Sequence, residues 1–218
     1  MTNEIYGIDY LQRRLADKQT RVLLRYKYYE MKNNAQDFSS LAPEKFKGLK
    51  ETVGWCAKAV DSLADRLQFD EFQNDEFNLS EIFLSNNQDI LIDSAVLSAL
   101  ISACSFVYIR EDNGYPRLQV IDGSNATGII DPVTNLLTEG YAVLERDSMG
   151  VVKTEAYFMA GMTEIYSHGV LVQRIPNAAP YALLVPIIYR PDAKRPFGHS
   201  RISRACIAYT QTCLLYTS

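Results

Sequence analysis

Apolar residues recur at helical spacing through the first hundred positions of the chain. Residues 9–32 contain neither glycine nor proline, and Leu11, Leu15 and Val22 fall on one face of a helix. A second helix is predicted to begin near Pro43, because the apolar residues that follow alternate spacings of three and four: Phe46, Leu49, Val53, Cys56, Val60, Leu63 and Leu67. A short helix near Ser80 and a mostly apolar helix over residues 87–104 complete a helical N-terminal region, residues 1–104.

The apolar period changes to two at Ser105, where turn residues also begin to recur at short intervals. This pattern predicts an antiparallel β meander over residues 105–190, with strands at 105–110, 117–121, 139–146, 151–159, 163–166, 170–175 and 183–189. Turns are predicted at 112–114, 131–135, 147–150 and 167–169. A loop and the start of a further helix, near Ser200, occupy residues 191–212. The predicted fold class is therefore α+β, with N-terminal helices followed by an antiparallel β meander.

The last six residues have an unusual composition. Residues 213–218 read Cys-Leu-Leu-Tyr-Thr-Ser, which one reading frame of a common transposon-based sequencing adapter encodes. We expect them to be read-through into library DNA, so that the natural sequence leaves this one near Thr212 and continues. The alternative is an ordinary apolar helix end.

Composition and charge narrow the classes of function. Hydrophobic residues make up 47% of the chain and charged residues 22%, which predicts a folded domain. The formal net charge of −4 argues against a domain that neutralises many phosphates by itself, so any DNA contact is expected to be local. The four cysteines form no CxxC pair and are predicted to be reduced and buried. The absence of an apolar run of about 18 residues or of a signal peptide predicts no membrane segment and synthesis in the cytoplasm.

Two oppositely charged segments are candidates for a subunit interface. On the first helix, four cations at spacings of four, three and four form one stripe: Arg14, Lys18, Arg21 and Arg25. The acidic segment after the second helix supplies Asp70, Glu71, Asp75 and Glu76. We hypothesise that the stripe and the acidic segment are complementary faces between copies of the chain. The alternative is that both are solvated faces.

The sequence carries no catalytic motif, and we predict no catalytic, cofactor-binding or metal-binding residue. Nucleotide-binding glycine loops, HExxH and GxSxG are absent, and only His168 and His199 are available as histidines. Asp61 and Asp65 lie one helical turn apart, but surface charge explains them better than a metal site does. Residues 197–204 combine a glycine, a candidate cap at Ser200 and basic groups at a helix start, which either bind an anion or only cap the helix.

The order of several short segments is more specific than any one of them. The chain contains Arg-Tyr-Lys-Tyr-Tyr-Glu at 25–30, Ala-Val-Asp-Ser-Leu-Ala-Asp-Arg-Leu at 59–67, a strand and turn at 106–119, Ile-Ile-Asp-Pro at 129–132, Val-Pro-Ile-Ile at 185–188 and Phe-Gly-His-Ser-Arg-Ile at 197–202. In this order the segments resemble the portal proteins of long-tailed bacteriophages, in the Gp6-like group. The resemblance runs through nearly all of the chain up to Thr212.

The resemblance implies a structural protein of the virion and not an enzyme. Portal subunits form a dodecameric ring at one capsid vertex, through which double-stranded DNA is packaged and later ejected. The ring docks the terminase, head-completion or connector proteins, and capsid or scaffolding proteins, and no cofactor is implied. This chain would correspond mainly to the wing, since the stem, clip and tunnel loop that face the DNA follow this region in the family. The implied location is the virion, and the host cytoplasm during assembly.

Two other classes of function stay open. One is a phage-encoded hydrolase or nuclease that uses Asp61, Asp65 or the loop around His199. The other is a different virion or adaptor protein that functions by binding alone.

Overall fold

A computed structural model describes residues 5–32 and 53–217 of the chain, with side chains as far as Cys213. The helices are α1 (Ile8–Tyr29), α2 (Trp55–Ala64), α3 (Leu79–Ser85), α4 (Gln88–Ser102) and α5 (Arg204–Thr217). The strands are β1 (Cys104–Asp112), β2 (Tyr115–Asp122), β3 (Ala126–Ile130), β4 (Leu137–Arg146), β5 (Val152–Met159), β6 (Met162–Ser167), β7 (Val170–Pro176) and β8 (Leu184–Ile188). The predicted α+β class is confirmed. No helix of the described ranges has the length and apolar character to cross a bilayer.

Helix α1 connects the helical and the β parts of the molecule. Its predicted apolar face is buried, with Leu11, Leu15 and Val22 each 5% exposed or less. Leu11 and Leu15 pack on Tyr141 of β4 and Tyr157 of β5. The other end of α1 joins a helical core with α2, α4 and the residues before α5, formed by Tyr28, Cys56, Val60, Leu100, Ile101 and Ile202. The helix is thus held against the sheet at one end and against other helices at the other.

The second predicted helix is shorter than its sequence pattern suggested. Helix α2 begins at Trp55, because Val53 and Gly54 before it are not helical, and it ends at Ala64. Backbone N–H groups of Arg66 and Leu67 bond carbonyls three residues back, which tightens and ends the last turn. The prediction of one continuous helix from Pro43 to Leu67 is therefore wrong at Val53 and Gly54 and again after Ala64. Its predicted positions Phe46 and Leu49 lie outside the described residues.

The strands form two antiparallel sheets where the sequence predicted one meander. The larger sheet has the order β3-β4-β5-β6-β7, and the smaller one has the order β2-β1-β8. Sequence neighbours pair as predicted, except that β2 does not pair with β3 and β7 does not pair with β8; instead β8 pairs with β1. Strand β3 was not predicted. The two sheets share one apolar core that includes Phe106, Tyr108, Leu137, Phe158 and Leu184. Burial of these side chains stabilises the arrangement of the strands in two sheets.

Candidate functional site

A cavity of about 820 Å³ lies between α1 and the loop that precedes α5. Six basic side chains line this cavity, which we call the basic groove: Arg14, Lys18, Arg21, Arg25, Arg195 and Arg204. Among the described residues of its lining, Asp17 supplies the one carboxylate. The groove therefore contains all four cations of the stripe predicted on α1. It also contains Arg204, the basic end of the 197–204 segment, which had been predicted as a separate feature.

Lys18 lies on the floor of the groove and is held by three neighbours. Its Nζ donates to the backbone carbonyl of Ala126 at 2.5 Å, and it lies 5.3 Å from the ring centre of Phe106 and 5.8 Å from that of Phe197. Burial lowers the pKa of Lys18, and the neighbouring positive charges of Arg14 and Arg21 lower it further. An ammonium in this position gains from added negative charge in the groove.

Arg25 joins the groove to the end of α4. Its guanidinium donates to the carbonyl of Ser102 at 2.7 Å, where the last carbonyls of a helix carry partial negative charge. Burial is the main cause that lowers the pKa of Arg25 to about 10, and the charge of Arg21 is the next. Lys18 and Arg25 thus point inward and are bonded to backbone, so the stripe on α1 is not a flat outward face. Whether it contacts another copy of the chain stays a prediction.

The opposite wall of the groove is a loop bonded to the core by its backbone. The N–H of His199 donates to Tyr189 O at 2.9 Å, and the N–H of Arg201 donates to Leu100 O at 2.8 Å. Gly198 has φ +73, and a Cβ there would lie 2.2 Å from Tyr189 O, so glycine is required at this close approach. The loop therefore holds its basic residues at a fixed distance from α1.

The predicted helix start at Ser200 needs correction. The hydroxyl of Ser200 donates to Ile101 O at 2.5 Å, and it caps the end of α4 instead of opening α5. Helix α5 begins four residues later, where Ser203 Oγ accepts the N–H of Cys206 at 3.1 Å. The tertiary contact of Ser200 with α4 outweighs its local capping tendency.

His199 takes part in a polar contact at the rim and not in a catalytic triad. Its Nε2 lies 2.5 Å from Asp192 Oδ2, and Arg195 lies 3.2 Å from its Nδ1. The hydrogen bond from His199 lowers the pKa of Asp192. Both ring nitrogens are thus engaged, and within the described residues their hydrogen-bond partners are Asp192 and Arg195, not a serine or a cysteine. A hydrolase that uses the His199 loop gains no support from this geometry.

The aspartates that sequence analysis weighed as metal ligands have other partners. Asp61 Oδ1 accepts the Tyr29 hydroxyl at 2.9 Å, and Asp65 occupies the C-terminal cap position of α2. In residues 5–32 and 53–217, no group of three or more His, Cys, Asp or Glu side chains is arranged to hold a metal ion.

The acidic segment lies apart from the basic groove in one chain. Asp75 caps α3, since its carboxylate accepts the N–H groups of Leu79 and Ser80, and these bonds lower the pKa of Asp75. The remaining predicted acids are exposed: Asp70, Glu71 and Glu76. Helix α3 precedes the first residue of α4, whereas the groove lies at the last residue of α4. The axis of α4 is about 22 Å long for its 15 residues, so the structure does not bring the two charged surfaces together.

Sequence reasoning missed part of the groove. Arg195 and Asp17 were not singled out, and neither was Phe106, because these side chains come together only when α1, β1 and the loop meet. No local pattern marks them.

Comparisons with known proteins give no further constraint on the class of protein. No protein-family model matches the chain, and a search of curated proteins found no match. Fold, site geometry and residue pattern are therefore the grounds for assigning a function.

Proposed function

We propose that this chain is the wing-like part of a bacteriophage portal subunit. In this role, copies of the complete protein assemble head to tail into a ring at one capsid vertex, through which double-stranded DNA is packaged and ejected. The proposed partners are the terminase, head-completion or connector proteins, and capsid or scaffolding proteins. The order of the elements supports the proposal, since helices come first, an antiparallel β region follows, and a helix begins after the loop at 197–202.

The observation that carries the proposal is the exposure of strand β7. This strand is at one edge of the five-stranded sheet, and every one of its residues is exposed, with Val170 66% and Val172 60% accessible. The other edge strands of the two sheets, β2, β3 and β8, all contain buried residues. An apolar edge with free backbone N–H and C=O groups is a liability in a monomer, because any strand can pair with it. It is a natural contact surface in an assembly.

A ring requires contacts of this kind. Closed rings larger than dimers form when one surface of a subunit meets a different surface of its neighbour. The free edge of β7 supplies backbone hydrogen bonding, and its apolar side chains supply area to be buried. These properties favour an assembly protein over an enzyme that works as a single chain.

The experiment uses the complete protein. We expect wild-type protein to form rings, detected by native mass spectrometry and negative-stain electron microscopy. The variant Val170→Lys/Val172→Lys places two charges on the β7 edge and is expected to abolish rings while retaining the wild-type circular dichroism spectrum. The matched control is Val133→Lys/Val151→Lys, which adds the same charge at positions that are 84% and 58% exposed. Wild-type protein that stays monomeric at every concentration contradicts the proposal, and rings in the β7 variant remove β7 from the contact.

A further inference from the structure

We propose that the basic groove is a binding site for clustered phosphate groups, supplied either by a free polyphosphate or nucleotide or by the phosphodiester backbone of a nucleic acid. This inference goes beyond the ring-forming role proposed above, because assembly through β7 does not require the groove to be occupied.

The lining of the basic groove carries an excess of positive charge. Six basic side chains face one carboxylate, Asp17, and no salt bridge of the described residues involves any of the six. Like charges held this close repel one another, which costs folding free energy. A bound polyanion removes this repulsion. The clustered cations therefore favour anion binding, although they lower the stability of the unliganded fold.

The floor of the groove is held in place before any ligand arrives. Arg14 lies 5.3 Å from the ring centre of Phe197, Lys18 contacts the same ring, and Arg25 is hydrogen-bonded to the end of α4. Side chains that are already ordered lose little conformational entropy on binding. At the rim, Arg21, Arg195 and Arg204 are exposed to solvent, and Arg195 lies 3.2 Å from His199 Nδ1.

The start of α5 adds a second source of positive potential. Ser203, Arg204 and Ala205 line the groove at the start of α5, so the partial positive charge of the helix N-terminus faces the same space. The end of α4 opposes this effect, but its carbonyls are covered by donors from Arg25, Ser200 and Arg201. The remaining field of the groove favours an anion.

Phosphate fits the groove better than the carboxylates of an acidic peptide. A volume of about 820 Å³ lies within the range of about 300–1,000 Å³ that is typical of small-ligand sites. Each carboxylate carries one charge, so several consecutive acidic residues are needed to balance six cations. Linked phosphates carry that charge in far fewer atoms, and their oxygens match the paired N–H donors of a guanidinium group.

The test measures tripolyphosphate binding to the complete protein by isothermal titration calorimetry at low salt and at about 150 mM salt. We expect binding that weakens with salt and that falls at least about tenfold in Arg21→Gln/Arg195→Gln, which leaves the floor intact. The matched control is Arg66→Gln/Arg110→Gln, which removes the same charge at exposed positions outside the groove. The control is expected to bind within twofold of wild type.

Two further probes identify the source of the phosphate. Displacement of tripolyphosphate by an oligothymidylate of about eight nucleotides points to a nucleic-acid backbone, and binding of tripolyphosphate alone points to a free polyphosphate or nucleotide. The inference is overturned if wild-type protein does not bind tripolyphosphate, if the groove and control variants lose affinity equally, or if a poly-glutamate peptide binds as tightly. Rings that form without tripolyphosphate binding reject this inference and leave the proposed function standing.

Discussion

The carboxylate of Glu139 accepts the backbone N–H of Gly7 at 3.0 Å, which fixes the start of α1 to β4, an interior strand of the five-stranded sheet. Its Oε1 accepts the N–H of Tyr6 at 2.9 Å. Its Oε2, which accepts the N–H of Gly7, also accepts the hydroxyl of Tyr157 at 2.6 Å. Glu139 is only 5% exposed. A negative charge at the start of a helix also interacts favourably with the positive end of the helix dipole. This side chain therefore ties the N-terminal end of α1, which forms one wall of the basic groove, to the sheet.

We predict that Glu139→Gln lowers the free energy of unfolding by about 1–3 kcal/mol, because an amide N–H₂ then faces donors that need an acceptor. Chemical denaturation followed by fluorescence measures the change. Glu145→Gln is the control, since Glu145 is exposed and pairs with Lys153; its effect should stay below about 0.5 kcal/mol. Equal effects of the two substitutions would show that the Glu139 contacts do not hold α1.

Gly198 and Gly150 provide a matched pair for the loop wall of the groove. Both have positive φ, +73 and +82, but a Cβ at Gly198 meets Tyr189 O, whereas nothing lies within 4 Å of one at Gly150. Gly150→Ala should cost only the backbone strain, about 1 kcal/mol. Gly198→Ala should cost at least about 2 kcal/mol more, because the loop has to move away from Tyr189. Thermal denaturation of both variants measures the difference, and equal losses would contradict the close approach.

Tyrosine ionisation should destabilise the fold at alkaline pH. Burial is the main cause that raises the pKa values of Tyr26, Tyr29 and Tyr166 to about 12, from a value near 10 in an unfolded chain. Below pH 10 both states keep these protons; between pH 10 and 12 the unfolded state loses them first, so the free energy of unfolding falls. Lys18 and Arg25 act in the opposite direction, because their pKa values are lowered, but they are two groups against the three tyrosines.

Denaturation at pH 9, 10, 11 and 12 and a spectrophotometric tyrosine titration check this prediction together. Part of the tyrosine signal should titrate well above pH 10 in folded protein and shift down in denaturant. Titration of every tyrosine near pH 10 in the folded protein would contradict it.

The thiols of Cys56 and Cys206 lie 3.3 Å apart and join α2 to α5. We predict that oxidised glutathione converts them to a disulfide, with release of two reduced glutathione molecules. Burial raises the pKa of Cys206 to about 11, so the reaction should be slow at pH 7 and faster as the pH approaches 10. Thiol titration before and after treatment measures the loss of two thiols. Cys206→Ser is the control that should prevent it, and an unchanged loss in that variant would assign the reaction to another pair.

The sequence by itself determined the type and order of most elements, because hydrophobic periodicity and turn residues are local signals. The buried face of α1, the Asn113–Gly114 turn with φ +53 and +82, and the strands of the meander all follow from residues close together in the chain. Strand β3 was not predicted, and α2 was predicted too long, since an apolar period does not fix where a helix ends.

Only the tertiary structure decided which distant residues meet. It paired β8 with β1 through the register of Phe106 and Pro186, and it placed Ser200 at the end of α4. It also placed the cations of α1 beside Phe197 and Arg195, so that the stripe predicted as either a subunit interface or a solvated face lines a groove. The physical reason is that a helix pattern defines which residues share a face, while the packing of apolar surface and the pairing of backbone groups elsewhere in the chain determine what that face meets.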